Sequence, residues 1–234
     1  MSSGENLILA RLPSDARAHL APLLKPRELG LREVIENFGE PPRAVIFPTS
    51  GIVSVVAGPA GQEAEVGIVG RLELTGAWAF LGAETSPSAS FVQAAGEGLS
   101  IAWSDLTAAM AEFPSIHAAC LYGTGRLMQQ ITDTAWSNAR ATLAERAARW
   151  ILLCHERVTT ETIPMTHEFL ALMLGVRRPG VTIALQTLEG AGVIRNTRGH
   201  IVVRNIDLLE EIGGRGLQRA REVPTARAPQ PGCR

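Results

Sequence analysis

The run THEFLALMLGVRRPGVTIALQTLEGAGVI, Thr166 to Ile194, decides the fold of the carboxyl-terminal part of the chain. Its two apolar-periodic segments are separated by Leu174-Gly175-Val176, a spacing that admits a helix, a sharp turn and a second helix. In the first segment Leu170, Met173 and Leu174 recur at helical intervals, Ala171 permits close approach, and Thr166 stands where an N-cap is needed. In the second, Val181, Leu185 and Leu188 form an inward stripe. Arg178, Thr182 and Gln186, spaced four apart, then fall on the opposite face. Pro179 lies in the first turn of this helix, where its missing N–H loses no intrahelical partner.

The next residues along the chain complete a motif. Glu189-Gly190-Ala191-Gly192 stops the helix, Val193 to Arg195 reads as a short strand, Asn196 to Gly199 as a hairpin turn, and His200 to Val203 as the returning strand. The pattern is that of a winged helix-turn-helix. The second helix opens on Arg177 and Arg178, long donors that reach base edges and phosphates when such a helix enters the DNA major groove. On this reading Arg178 contacts a base edge, most naturally guanine, with Thr182 and Gln186 as further base readers. Arg177, Thr166, His167 and Arg198 contact phosphates.

Charge distribution points the same way. The net charge of the 234 residues is only −1, but residues 1–139 carry 8 Lys and Arg against 14 Asp and Glu, whereas residues 140–234 carry 14 against 9. A basic carboxyl-terminal part suits a phosphate-binding surface. With 46% apolar and 19% charged residues the chain supports ordinary globular cores, and its length admits two domains. No run approaches a membrane span and the amino terminus lacks a basic-then-apolar leader, so a cytoplasmic protein is expected. The three cysteines, Cys120, Cys154 and Cys233, are too few and too scattered for a disulfide framework or a four-cysteine metal cluster, and read as buried thiols.

Upstream, residues 1–28 read as short helices interrupted by Pro13, Pro22 and Pro26. From Leu29 to about Ile101 the pattern changes to short β-rich runs: Glu33 to Phe38, Ala44 to Phe47, Gly51 to Ala57, Glu63 to Val69, Phe91 to Ala95 and Leu99 to Trp103. Such spacing predicts a sandwich or jelly-roll barrel. Pro114 opens a long helix to about Ala139, longer than a small barrel needs to cover itself. A parallel two-fold pairing through Leu127, Met128, Ile131 and Ala135 is therefore expected. Thr142-Leu143-Ala144-Glu145 matches a capping box and starts a helix to about Arg157, whose stripe of Leu143, Ala147, Trp150, Ile151 and Cys154 should pack beneath the helix-turn-helix. Asp207 to Glu210 cap a short final helix. The expected organisation is α+β, with a barrel over 1–113, a dimerisation helix over 114–141, a winged helix-turn-helix over 142–212 and a disordered tail over 213–234.

The run FPTSGIVSVVAGPAGQEAEVGIVGRLELTG, Phe47 to Gly76, together with the helix-turn-helix, resembles the Crp/Fnr family of bacterial transcription regulators. The resemblance implies a double-stranded β-helix sensor domain, a long dimerisation helix and a carboxyl-terminal winged helix. It implies double-stranded DNA and a second copy of the chain as partners, with RNA polymerase as a further one. Activation and repression both fit this layout.

Where family members bind a cyclic nucleotide, an Arg-Ser pair holds its phosphate. Here Ser86-Pro87-Ser88-Ala89 occupies the corresponding place, and no Lys or Arg occurs between Leu72 and Gly125, while Glu73 and Glu84 would repel an anion. No cofactor is expected: usual cyclic-nucleotide binding is disfavoured, an iron-sulfur cluster lacks its thiolates, and the absence of histidine between Leu20 and Ile116 argues against a metal-dependent barrel enzyme. A second reading of the same layout is a ligand-binding β-barrel whose helical end mediates protein–protein contact.

Overall fold

The computed structural model describes residues 4–59, 61, 63–158 and 162–214. Two short helices, α1 (Leu7–Ala10) and α2 (Ser14–Leu20), precede β1 (Lys25–Leu29), β2 (Val34–Glu36), β3 (Ala44–Pro48), β4 (Ile52–Ala57) and β5 (Ala64–Val69). A single turn, α3 (Ala77–Phe80), leads to β6 (Ala89–Ala94) and β7 (Gly96–Ala102). These strands form two antiparallel sheets, ordered β1-β7-β3 and β2-β6-β4-β5. Side-chain alternation sorts their faces. Val53 and Val55 of β4 meet Leu29, Ile46, Val69 and Val92 between the sheets, whereas Ile52 and Ser54 point outward. Strand β1 was not among the expected strands, and Trp103, read as the end of a strand, instead opens a helix.

That helix is α4 (Trp103–Glu112), and it is followed by α5 (Pro114–Arg140). With α1 and α2 they cover the outer face of the three-stranded sheet, burying Val45, Phe47 and Ile101 against Ile8, Leu20, Leu106 and Ile116. Farther along, α5 packs on β5, and its Leu127 and Ile131 join the core between the sheets. A Cβ on Gly67 would lie 2.9 Å from the Leu127 side chain, so this approach requires glycine. Gln130 then acts as a surrogate strand: its Nε2 donates to the Ile68 carbonyl at 3.1 Å and its Oε1 accepts from the Ile68 N–H at 2.5 Å. Edge strand β5 thereby has its outer peptide group satisfied.

The remaining elements are α6 (Leu143–Arg157), β8 (Thr162–Pro164), α7 (His167–Leu174), α8 (Arg178–Gly190), β9 (Ile194–Thr197), β10 (His200–Val203) and α9 (Ile206–Gly213). The capping box at the start of α6 forms as expected: Thr142 Oγ1 accepts from Glu145 N–H, and the Glu145 carboxylate accepts from Thr142 N–H at 2.7 Å. For α9 the cap is Asn205, whose side chain accepts from Leu208 N–H at 3.0 Å, and Asp207 merely sits in the first turn. Strand β9 runs farther than expected, so the hairpin turn shrinks to Arg198-Gly199. The tail expected to be disordered lies, from residue 215, outside the described residues, as does Cys233.

Helix α6 does more than the sequence suggested. Trp150, Ile151 and Cys154 belong to one buried cluster that takes Ile52, Ile68 and Ala94 from the barrel and Leu170, Met173, Leu185 and Leu188 from the helix-turn-helix. Two buried polar anchors reinforce this junction. Arg157 donates through Nε at 3.0 Å and Nη2 at 2.5 Å to the two carboxylate oxygens of Glu73. The Glu73 carboxylate is therefore neutralised by α6. The expectation that it would repel an anion is corrected by this pairing.

Glu65 of β5 is the second anchor, accepting from Trp150 Nε1–H and from Ser54 Oγ–H at 2.7 Å. Cys120 and Cys154 are both buried thiols, and burial pushes Cys120 up to about 12. Among the described residues no helix is long and apolar enough to cross a membrane.

Candidate nucleic-acid interface

Local chemistry fixes the helix-turn-helix. Thr166 Oγ1 caps α7 by accepting from Phe169 N–H at 3.1 Å, and Gly175 ends that helix at φ +61°, the left-handed conformation that glycine adopts without a Cβ penalty. Arg177 is the N-cap of α8 and Pro179 occupies its first turn, as the sequence predicts. Val181, Ala184, Leu185 and Leu188 are the buried face of α8 and seat it on α6 and α7. Arg177, Arg178, Pro179, Ile183, Gln186 and Thr187 are exposed. The wing is tied in as well, since Glu189 Oε1 on α8 accepts from Asn196 N–H at 2.9 Å.

The expected base readers separate on closer inspection. Arg178 is exposed and paired at 3.1 Å with Glu168 of α7, a contact that restrains the guanidinium while leaving its donors toward solvent. Gln186 is exposed on the same side. Thr182 is half-buried, and its hydroxyl donates to the Arg178 carbonyl at 3.2 Å while lying 3.0 Å from Nδ1 of His167. Since the hydroxyl proton is used on Arg178, Nδ1 carries the proton of the ring and donates to Thr182. Nε2 then accepts from Asn196 Nδ2–H at 3.0 Å. A chain of hydrogen bonds thus runs from the wing through His167 to α8. His167, read as a phosphate ligand, has both ring nitrogens engaged in this tie.

Thr166, Arg177 and Arg198 are exposed and lie on the helix starts and the wing turn. Arg195 and His200 flank them on the wing and are exposed too. Sequence reasoning placed Ile183, which is 64% exposed, on the recognition helix but gave it no role, and it did not single out Asn196. The spacing of Pro179, Ile183 and Thr187 at intervals of four was the available signal for the first. Nothing local in the sequence announces the contact of Asn196 with His167, 29 residues away. Phe169 packs edge-on against Trp150 at 6.4 Å between centroids, whereas Leu172 is 50% exposed.

On α5 the four residues expected to pair two chains divide between two faces. Leu127 is buried and Ile131 packs beside it, both committed to the barrel, while Met128 and Ala135 are exposed. The outward stripe is instead Leu121, Gly125, Met128, Thr132 and Ala135, alternating four and three apart, with Trp136 adjacent and 57% exposed. A 3.5-residue repeat of this kind is the seam of paired helices.

Comparison with known proteins agrees with this geometry. Residues 145–212 match the Crp-like helix-turn-helix domain. Among curated proteins none matches the chain in sequence. Solved structures with the same fold include FixK2 from Bradyrhizobium japonicum, at 18% identity and TM-score 0.69, with 81% of this chain and 96% of that one covered. Another is CLP of Xanthomonas campestris, a c-di-GMP responsive global regulator, at 17% identity and TM-score 0.65, with coverages of 82% and 99%. A third is CooA from Carboxydothermus hydrogenoformans, as a double mutant, at 13% identity and TM-score 0.64, with coverages of 90% and 96%. The chain thus carries a Crp-like helix-turn-helix domain over residues 145–212, seated on a β-sandwich and a long helix in the fold that those structures share.

Proposed function

We propose that the protein binds paired operator half-sites as a homodimer, each α8 entering one major groove. The observation that carries this reading is the orientation of α8: its apolar face is consumed by α6 and α7, and its arginine-led face is left to solvent. The reading assigns Arg178 and Gln186 to base edges, with Thr182 beside them, and Arg177, Thr166 and Arg198 to phosphates, with His167 holding the surface in shape. RNA polymerase is a further partner on this reading. The division into a sensor over 1–113, a spine over 114–141, a reading head over 142–212 and a tail over 213–234 is part of the same proposal.

The test of base contact is Arg178→Ala against genomic fragments selected by the purified protein. It should lose about 1 to 3 kcal/mol on selected DNA and little on random DNA, whereas Arg198→Ala weakens both alike. Equal losses on both DNAs for Arg178→Ala would remove the residue from base readout.

Pairing through the exposed stripe of α5 supports the two-fold arrangement. Met128→Glu places a charge on that seam, and sedimentation should show monomers in place of dimers. Selected-fragment affinity should fall about 100-fold or more as the two-site linkage is lost. A dimer that persists in Met128→Glu would move the interface elsewhere.

For the sensor, the reading is that the usual arginine-mounted cyclic nucleotide is not its ligand. Support comes from the residues where the phosphate would lie. Ser86 and Ser88 are buried, Ser86 Oγ–H donates to the Ser88 carbonyl at 2.7 Å, and Trp78 Nε1–H donates to Ser88 Oγ at 3.0 Å. Glu36 already accepts from Gly76 N–H at 3.1 Å and from Ser90 Oγ–H at 2.9 Å, and burial pushes its carboxyl above the ordinary range against those two bonds. The void beside Glu36, Trp78 and Ser86 is about 10 Å³, room for at most one water. These groups do not fit a cyclic phosphate.

A further inference from the structure

The exposed face of α8 carries two parallel stripes. One is polar, led by Arg178 and Gln186. The other consists of Pro179, Ile183 and Thr187, each four residues from the next and all exposed, with Ile183 at 64%. Thr187 belongs to the apolar stripe because its hydroxyl is turned back to donate to the Ile183 carbonyl at 2.9 Å. A helical threonine bonded in this way has its polar atom satisfied by the backbone.

Among the described residues Ile183 is not part of the packed face of α8, which is completed by Val181, Ala184, Leu185 and Leu188. A β-branched residue is also a weaker helix former than the straight-chain polar residues usual on a solvent face. Arg177 and Arg178 stand at one end of the stripe and Arg195 and Arg198 on the neighbouring wing, all exposed, so the surface around it is suited to a polyanion. On the major-groove edges of DNA the apolar feature is the 5-methyl group of thymine, which cytosine shares only when methylated at the same carbon.

We infer that Ile183, flanked by Pro179 and Thr187, reads a 5-methylpyrimidine in the operator half-site. The inference rests on the entry of α8 into the major groove and adds a specificity that the polar readers do not supply. Discrimination here is between a base with its methyl group and the same base without it, at unchanged hydrogen-bonding pattern.

The experiment begins with selection from a random duplex pool by the full-length protein. The enriched duplex is then resynthesised with deoxyuridine replacing thymidine one position at a time, and fluorescence anisotropy compares wild type with Ile183→Ala on every duplex. Wild type should lose about three- to tenfold at one or two symmetry-related positions, with affinity restored when 5-methylcytosine paired with guanine replaces the uracil pair at a position where the pair's other contacts tolerate it. Ile183→Ala should bind the thymine and uracil duplexes equally, with a melting temperature within a degree or two of wild type.

Uracil duplexes that bind wild type within twofold of the thymine parent at every position would overturn the inference while leaving base readout by α8 standing. So would undiminished discrimination in Ile183→Ala. A pool that yields no enriched sequence would overturn both this inference and the reading it rests on.

Discussion

Replacing Glu73 by glutamine is expected to lower the melting temperature of the protein by about 10 °C, the equivalent of about 3 to 5 kcal/mol for a buried pair broken from one side. Glu73 and Arg157 are respectively 0% and 2% exposed, and both carboxylate oxygens are used by the guanidinium. Desolvation opposes the charge on Arg157, but the Coulombic attraction and hydrogen bonds of Glu73, with help from Glu156, outweigh it and hold the guanidinium above its ordinary range. Glutamine keeps the shape and removes the countercharge. Arg157 would then stay buried with Glu156 at 3.7 Å as its remaining paired carboxylate.

Because this pair ties the barrel to α6, the loss should also loosen the junction, seen as faster proteolysis near residues 140–142. The double variant Glu73→Leu with Arg157→Met removes both charges and should be more stable than Glu73→Gln. A melting temperature within about 2 °C of wild type for Glu73→Gln would show that the pair does not hold the two parts together.

The second large effect concerns pH. Glu65 is buried in the same junction, bonded to Ser54 on the sheet and Trp150 on α6, near Arg149, Cys154 and Arg157, while Ser54 also meets Gln93 and Met173 of α7. Burial raises its carboxyl from 4.5 to about 8, although the hydrogen bonds from Ser54 and Trp150 and the charges of Arg149 and Arg157 act in the opposite direction. The folded chain therefore holds a proton that the unfolded chain gives up. Stability from this group is fully present below pH 4.5 and is lost as pH rises through about 8.

Glu65→Gln keeps an acceptor for Trp150 and cannot ionise. Calorimetric melts between pH 5 and 9 should show a fall in melting temperature for wild type that is flattened in Glu65→Gln, with the variant the more stable at pH 8.5. Parallel curves for the two proteins would mean that Glu65 does not titrate in this range.

Much of this was legible in the residues themselves. Thr166, Gly175 and Pro179 state a cap, a left-handed turn and a helix start through purely local chemistry, and the Thr142-Glu145 box does the same for α6. What could not be read is what depends on packing between distant segments. Strand β1, with Lys25, Pro26, Arg27 and Glu28 among its five residues, has no apolar alternation to announce it. Thr182 looks outward by spacing alone and is drawn in by His167 from the neighbouring helix. Leu127 and Met128 are indistinguishable as apolar residues on a long helix until the barrel claims the first. The junction built by Glu65, Trp150, Glu73 and Arg157 joins residues about 85 apart, beyond the reach of any local pattern.

On the proposed function, two copies of α8, carried on paired α5 helices, read one duplex. Hydroxyl-radical footprinting of a selected genomic fragment tests it most directly. Two protected half-sites related by two-fold symmetry are expected, centred about one helical turn apart or a multiple of it, and both lost together in Met128→Glu. A single protected block that persists at full strength in the monomeric variant, or protection without regard to sequence, would contradict it.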